Sequence, residues 1–192
     1  EELQGAAPPA PAYPEGRSKE SHGHAAVSAP PLVASFQGVI DDGSRIPPDT
    51  HGAVGPNHIV EFLNSGFTVY DRGGGLVALQ ITLQAFWVSL GVGPGQPASW
   101  PFDPKIIFDQ YSNRWIVTSD NNPNARDGTP TSHVLVGISH TSDPTGNWNL
   151  YAIQANDGVH VGDWSDFPGF GVDPNNVIVA NNMFGTCNTA TC

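Results

Sequence analysis

The chain has 192 residues, enough for one sizeable core or one domain with a tail, and only 13% of them are charged, while glycine numbers 22 and proline 18. That composition is rich in turn formers and poor in the Lys, Glu and Arg that coat helices, so an all-β fold of many short strands is expected. Eighteen acidic residues against seven basic ones give a formal charge of -11, which repels phosphate backbones and anionic lipid and argues against nucleic acid and anionic membranes as partners.

The chain opens at Glu1 without a methionine, and the expectation is a mature product freed of a signal peptide or a piece of something longer. No stretch approaches the roughly 18 consecutive apolar residues of a membrane span. Residues 1–31 read as a tail or linker. From Gly5 to Pro31 they are built of Ala, Pro, Gly and Ser with hardly any apolar periodicity, too little apolar surface to offset the entropy of ordering. His22 and His24 in "HGH" offer a transient metal contact there, against the plainer reading of incidental histidines in a solvated tail.

Residues 32–192 form the expected domain. Short β runs separated by turns are predicted at Leu32 to Gly38, His58 to Asn64, Phe67 to Asp71 and Leu76 to Thr82. Hairpin turns are expected at Ser65-Gly66 and across Asp71 to Gly75. "LQAFWVSLG", Leu83 to Gly91, is the one helical-looking piece, ended by its glycine. Further strands are predicted at Lys105 to Asp109, Arg114 to Ser119, His133 to Ser139, Trp148 to Ile153 and Asn176 to Asn182. Cys187 and Cys192 close the chain in "CNTATC", read as a surface disulfide in an oxidising compartment, with free thiols or partners outside this sequence as the rivals.

Three segments align. "DTHGAVGPNHIVEFLN", "DPKIIFDQYSNRWIVTSD" and "DFPGFGVDPNNVIVANN" begin at Asp49, Asp103 and Asp166, 54 and 63 residues apart. Each runs from an Asp through an apolar stretch to an Asn in a turn (Asn57, Asn113, Asn176) and then to an apolar strand. That period suits a four-stranded propeller blade, and the chain would hold about two and a half blades. The alternative is a β-sandwich whose hairpins look alike. A propeller needs at least four blades to close, so the repeat reading expects the N-terminal part of a longer protein, or closure by self-association through exposed blade edges.

The same segments, with "TSDPTGNWNLY", resemble the blade motifs of bacterial secreted β-propeller proteins, mostly of undefined function, over about Pro47 to Asn182. "TSDPTGNW" is also similar to the Asp-box turn of sialidase-type propellers: Thr141, Asp143 and Trp148 match, and Gly146 stands one place later than in that motif. The resemblance implies a propeller, a secreted or cell-surface location, and a turn lying away from an active face. Asp143, Gly146 and Trp148 are accordingly expected to hold the fold, by an Asx turn, a permissive φ and packing between blades.

Chemistry concentrates in two loops. "NDGVHVGDWSDFPGF" carries Asp157, His160, Asp163, Trp164 and Asp166. The first four are the candidate ligand-binding residues, and Asp163 and Asp166 the candidate acid and base of glycoside cleavage, against a plain inter-blade loop. "DNNPNARDG" places Asp120, Asn122, Asn124 and Asp127 at spacings like those of calcium loops, although Ala125 and Thr131 stand where an EF-hand needs Gly and an acid. Calcium is the candidate ion, and generic turn chemistry the alternative. Asp49 and His51, at a repeat start, are candidates for a central channel. Arg17, Lys19, Arg45, Arg72, Lys105, Arg114 and Arg126 are the whole basic complement, so anchors for an acidic sugar are few. No nucleophile elbow, phosphate loop or His-Glu-x-x-His motif is present. The expected function is a secreted or cell-surface propeller module binding a glycan, a peptide or an envelope protein, with a propeller-fold glycoside hydrolase or polysaccharide lyase as the alternative.

Overall fold

The computed structural model describes residues 31–32, 35–40, 42–73, 77–156 and 162–185, nearly all within one unit spanning residues 34–192. Residues 1–30, with His22 and His24, lie outside the described residues, as do Asp157, His160, Cys187 and Cys192.

The fold is all-β. Two antiparallel sheets of four strands each follow sequence order, and a two-stranded hairpin comes after them. The first sheet holds β1 (His51–Val54), β2 (His58–Leu63), β3 (Gly66–Asp71) and β4 (Val77–Thr82). The second holds β5 (Pro101–Asp109), β6 (Arg114–Asn121), β7 (His133–Ser139) and β8 (Trp148–Gln154), and the hairpin is β9 (Trp164–Val172) with β10 (Val177–Phe184). Every neighbour pair is antiparallel, as short loops require.

Turn chemistry fixes the hairpins. The Asp109 carboxylate accepts the backbone N–H groups of Tyr111 (2.9 Å) and Ser112 (3.1 Å), and Asn113 takes a left-handed φ of 56° before β6 begins at Arg114. Asp173 does the same for Asn175 (2.7 Å) and Asn176 (2.8 Å) between β9 and β10. Between β2 and β3 the paired residues are Leu63 and Gly66, which leaves Asn64 and Ser65 as a two-residue loop, one place earlier than the sequence suggests. A Cβ at Gly66 would lie 2.4 Å from the Ile81 carbonyl oxygen, so glycine is required by the close approach of β4.

Two corrections to the strand expectations follow from the backbone. Residues 35–38 of the expected first strand form no ladder. They lie as an irregular strap, with the Phe36 ring 5.2 Å from that of Tyr70 and, just beyond, the Val39 N–H donating to Glu61 Oε2 at 2.8 Å. Conversely, β1, β9 and the first half of β5 are strands where the sequence pattern is broken by Gly or Pro. The expected helix divides into α1 (Leu83–Trp87), capped by Thr82 Oγ1 accepting the Ala85 N–H at 3.1 Å, and a 3-10 turn over Val88–Leu90 that stops at Gly91 with φ 94°.

The apolar core lies where α1 and the two sheets meet. Val60, Phe62, Phe67 and Val69 come from the first sheet, Phe86 and Trp87 from α1, and Ile106, Trp115, Val117 and Leu135 from the second. The Phe67 ring stands edge-on to Phe62 at 5.3 Å and to Trp148 at 5.9 Å, and meets Phe86 at 4.7 Å, so one side chain touches both sheets and the helix. Replacing Phe67 by Ala removes all three contacts at a fully buried site. We expect it to cost about 3–5 kcal/mol in unfolding free energy, read as a lower denaturant midpoint.

Candidate functional site

Among the described residues the sheets share no ladder hydrogen bonds, and their first strands meet through side chains instead. β1 packs against β5, and β5 and β6 pack against β9. At this junction stand Asp49, Asp103 and Asp166, the three residues with which the aligned segments begin. Asp49 and Asp103 have left-handed φ values of 46° and 50°, and Phe167, next to Asp166, one of 55°. Asp tolerates that region better than most residues. The β5–β6 register shifts between Phe102 and Lys105 and the β9–β10 register between Ala180 and Asn182, so bulges stand at both acidic residues and re-aim them.

Asn64 joins the first two sheets. Its side-chain amide donates to the carbonyl of Pro47 at 3.1 Å and to the Asp49 carboxylate, while its Oδ1 accepts the Asp103 N–H at 2.8 Å. Asp103 Oδ2 in turn accepts the N–H of Phe167 at 3.3 Å, linking the second sheet to the hairpin. His51 makes a parallel link, its Nδ1 accepting the Ile106 N–H at 3.1 Å, so the imidazole is committed to β5. Burial, then the charge of Lys105, holds its pKa below the ordinary value.

The Asp103 carboxyl is pushed up to about 7, first by burial and then by hydrogen-bonding contact with, and charge on, the Asp49 and Asp166 carboxyls. Asp120, fully buried on β6, is also raised to about 7, chiefly by burial. Its hydrogen bonds from Ser165 Oγ (2.8 Å) and Asn181 Nδ2 (2.6 and 2.8 Å) oppose that shift, and the Asp166 charge adds to it. Asn64, Asp120 and Asn181 thus do equivalent work, each sitting near the end of the second strand of its unit and bonding across or within the junction.

Above these groups opens a cavity of about 580 Å³ lined by Asp49, Asn64, Asp103 and Asp166 together with aromatic rings. Trp100 and Phe167 are 40% and 64% exposed, and Trp164 lies 6.0 Å from Phe102 and 5.4 Å from Phe184. Arg45 and Arg126 line it as well. Such a hollow offers hydrogen-bond acceptors, an amide donor and flat apolar faces side by side.

The structure sorts the sequence candidates. Asp49, Trp164 and Asp166 line this cavity, and Asp163 does not. Of the residues with calcium-loop spacing, Asp120, Asn122 and Asp127 have separate hydrogen-bond partners. Asp120 turns to Ser165 and Asn181. Asn122 donates to the Thr129 and Thr131 carbonyls at 3.1 and 2.7 Å and accepts the Asp127 N–H at 2.8 Å. Asp127 accepts the N–H groups of Gly95 and Thr129, each at 2.8 Å. Turn chemistry employs these groups, and among the described residues no three His, Cys, Asp or Glu side chains are arranged to hold a metal ion. In the 141–148 turn, Asp143 Oδ1 accepts the Thr145 N–H at 2.9 Å, and Trp148 Nε1 donates to the Pro144 carbonyl at 3.0 Å. Gly146 has a φ outside the left-handed range, so the turn does not use its permissive backbone.

Asn64, Trp100, Arg45 and Arg126 are site residues that sequence reasoning does not find. They lie in loops without periodicity; the signals that do point to the junction are the repeat register, through Asp49, Asp103 and Asp166, and the polar-aromatic cluster, through Trp164 and Asp166. No family model, curated protein or solved structure matches the chain.

The raised Asp103 pKa has a defined sign. In the unfolded chain the group ionises near its ordinary value of 3.8, and in the fold near 7. The stability it contributes is whole below 3.8 and is lost as pH rises towards and through 7. We therefore expect wild type to lose about 1 kcal/mol relative to Asp103→Asn between pH 4 and pH 8, a value discounted for the partial exposure of the group. Thermal melts of both proteins across that range would show it as a gap that changes by about 2–4 °C, and a constant gap would mean that folding does not raise the Asp103 pKa.

Proposed function

We propose that the chain is a secreted or cell-surface β-propeller-type module that binds a glycan in the junction cavity. The two sheets and the hairpin are the blade-like units of that reading, stacked through their first strands. The observation that carries the functional part is the cavity itself. It sets the carboxyl groups of Asp49, Asp103 and Asp166 and the Asn64 amide beside the exposed rings of Trp100 and Phe167. Sugars present hydroxyl groups around an apolar C–H face, and a site that pairs acceptors and amides with flat rings satisfies both. A folded envelope protein would need a broad complementary surface, whereas the described cavity is concave and mixed in polarity.

A second reading has one observation in its favour. A carboxylic acid with a pKa near 7 is suited to general-acid work, and Asp103 has that property next to Asp166. Against glycoside hydrolysis stands their spacing. The Asp103 carboxyl is in hydrogen-bonding contact with both Asp49 and Asp166, whereas retaining and inverting glycosidases hold their carboxyl pairs about 5 Å or more apart. These pairs share a proton more readily than they flank a glycosidic bond.

Tryptophan fluorescence of the full chain, titrated with an array of soluble bacterial and plant oligosaccharides, tests the binding reading, with chromatography of the same mixtures for cleavage products. Saturable binding without products, weakened about tenfold or more by Trp100→Ala, is the expected outcome. Shortened saccharides that vanish in Asp103→Asn would move the hydrolase or lyase ahead, and no saccharide response at all would remove the glycan reading.

A further inference from the structure

Two guanidinium groups stand at the cavity without a direct ion-pair partner among the described residues. Arg45 and Arg126 are exposed and line it alongside three carboxyl groups, yet among the described residues neither forms an ion pair. Arg126 instead lies over the Trp100 ring, its guanidinium carbon 4.2 Å from the centroid. The carboxyl groups are already engaged: Asp49 with Asn64, Asp103 with the Phe167 N–H, and both with each other. In a chain with a formal charge of -11 and only seven basic residues, two of the seven stand at this one hollow, beside its three carboxyl groups.

Stacking on an indole fixes the plane of a guanidinium and aims its fork of N–H donors outward, so little side-chain entropy is lost when a ligand arrives. A planar fork pairs best with a planar carboxylate, through two parallel charge-assisted hydrogen bonds. A hydroxyl group cannot use both tines in this way. A second cavity of about 580 Å³ shares Ser44, Arg45, Asn64, Trp100 and Pro101 with the first, so Arg45 and Trp100 stand on a common wall between two hollows. A ligand using both hollows must be longer than one sugar.

We infer that the ligand is an extended acidic saccharide, a chain bearing uronic acid carboxylates, with Arg126 on its Trp100 platform and Arg45 as the carboxylate-binding pair and the chain running across Trp100 from one cavity to the other. The inference rests on the glycan reading and gives it a charge and a length. It also revises the expectation that basic anchors are scarce: the chain has few, and the fold brings two of them to one site.

The test is a calorimetric titration of the full chain with hexagalacturonate, galacturonic acid and cellohexaose. Hexagalacturonate is expected to bind at least about tenfold tighter than either of the others, and to weaken with added salt while cellohexaose does not. Arg45→Gln and Arg126→Gln, both at exposed positions and checked for folding by circular dichroism, are expected to lower the preference for the acidic hexamer over the neutral one by about tenfold each. Arg126→Lys, which keeps the charge and loses the fork, should fall between Gln and wild type. Equal binding of both hexamers, or a preference unmoved by the arginine variants, would overturn the charge assignment and leave the glycan reading standing. Acidic monomer binding as tightly as the hexamer would overturn the extended-chain assignment. Absence of binding to all three, if the array is also silent, would remove both.

Discussion

The geometry of the junction depends on hydrogen bonds made by side chains, with the Asn64 amide at the head of them. Because the two sheets and the hairpin have no ladder in common among the described residues, their backbone pairing does not set one against the next. Asn64 supplies that setting by giving its donor to Asp49 and Pro47 and its acceptor to the Asp103 N–H. Asp103 hands the arrangement on to Phe167. Shifting β5 by one residue along β1 would strand both the Asp103 N–H and the Asn64 oxygen in a partly buried place, at a cost of about 1–3 kcal/mol for each unsatisfied group.

Polar setting and apolar holding are separate tasks here. Net hydrogen bonds contribute about 0.5–1.5 kcal/mol each, and a fully buried large apolar side chain about 1.5–3 kcal/mol. With Phe62, Phe67, Trp87, Ile106 and Trp115 all fully buried, the apolar cluster between the first sheet, α1 and the second sheet dominates cohesion. The junction spends part of that stability, since it gathers carboxyl groups whose ionisation opposes the fold. A cavity lined by such groups persists because the cluster beneath it is strong enough to hold them together.

Much of this architecture could be read from residues alone, and the failures have a common cause. Strands with unbroken β-branched and aromatic runs, such as β2, β3, β6 and β7, are plain in the sequence. β9 and the start of β5 are hidden by Pro168 and Pro104, which weaken any strand assignment, yet each proline stands at a register shift where a ladder donor is dispensable. β1 is hidden by its length of four residues and by Gly52. The strap at 35–40 errs the other way: it continues an apolar run that reads as a strand, but Phe36 packs on Tyr70, the Val39 N–H goes to the Glu61 side chain, and residues 35–38 join no ladder. Among the site residues, the repeat register exposes Asp49, Asp103 and Asp166. The arginines and Trp100 depend on loop paths that no local pattern encodes, and so do the side chains of the 120–127 run, where Asp120 goes to Ser165 and Asn181 while Asn122 and Asp127 bond to neighbouring loops.

The end of β6 carries a further consequence. Thr118, Ser119, Asp120, Asn121 and Asn122 are all fully buried, and each side chain has a partner. Thr118 donates to the Leu135 carbonyl, Ser119 accepts from Trp87 Nε1, and Asn121 accepts from the His133 N–H. Asp120 and Asn122 reach β10 and the 129–131 loop. A hydrophobic strand can slide by two residues and still present an oily face, but this run cannot, because each of its five side chains fits a different partner. It works as a key cut for one lock, so errors of pairing during folding are rejected at this strand, and neutral drift at any one of these positions requires a matching change in a residue far along the chain.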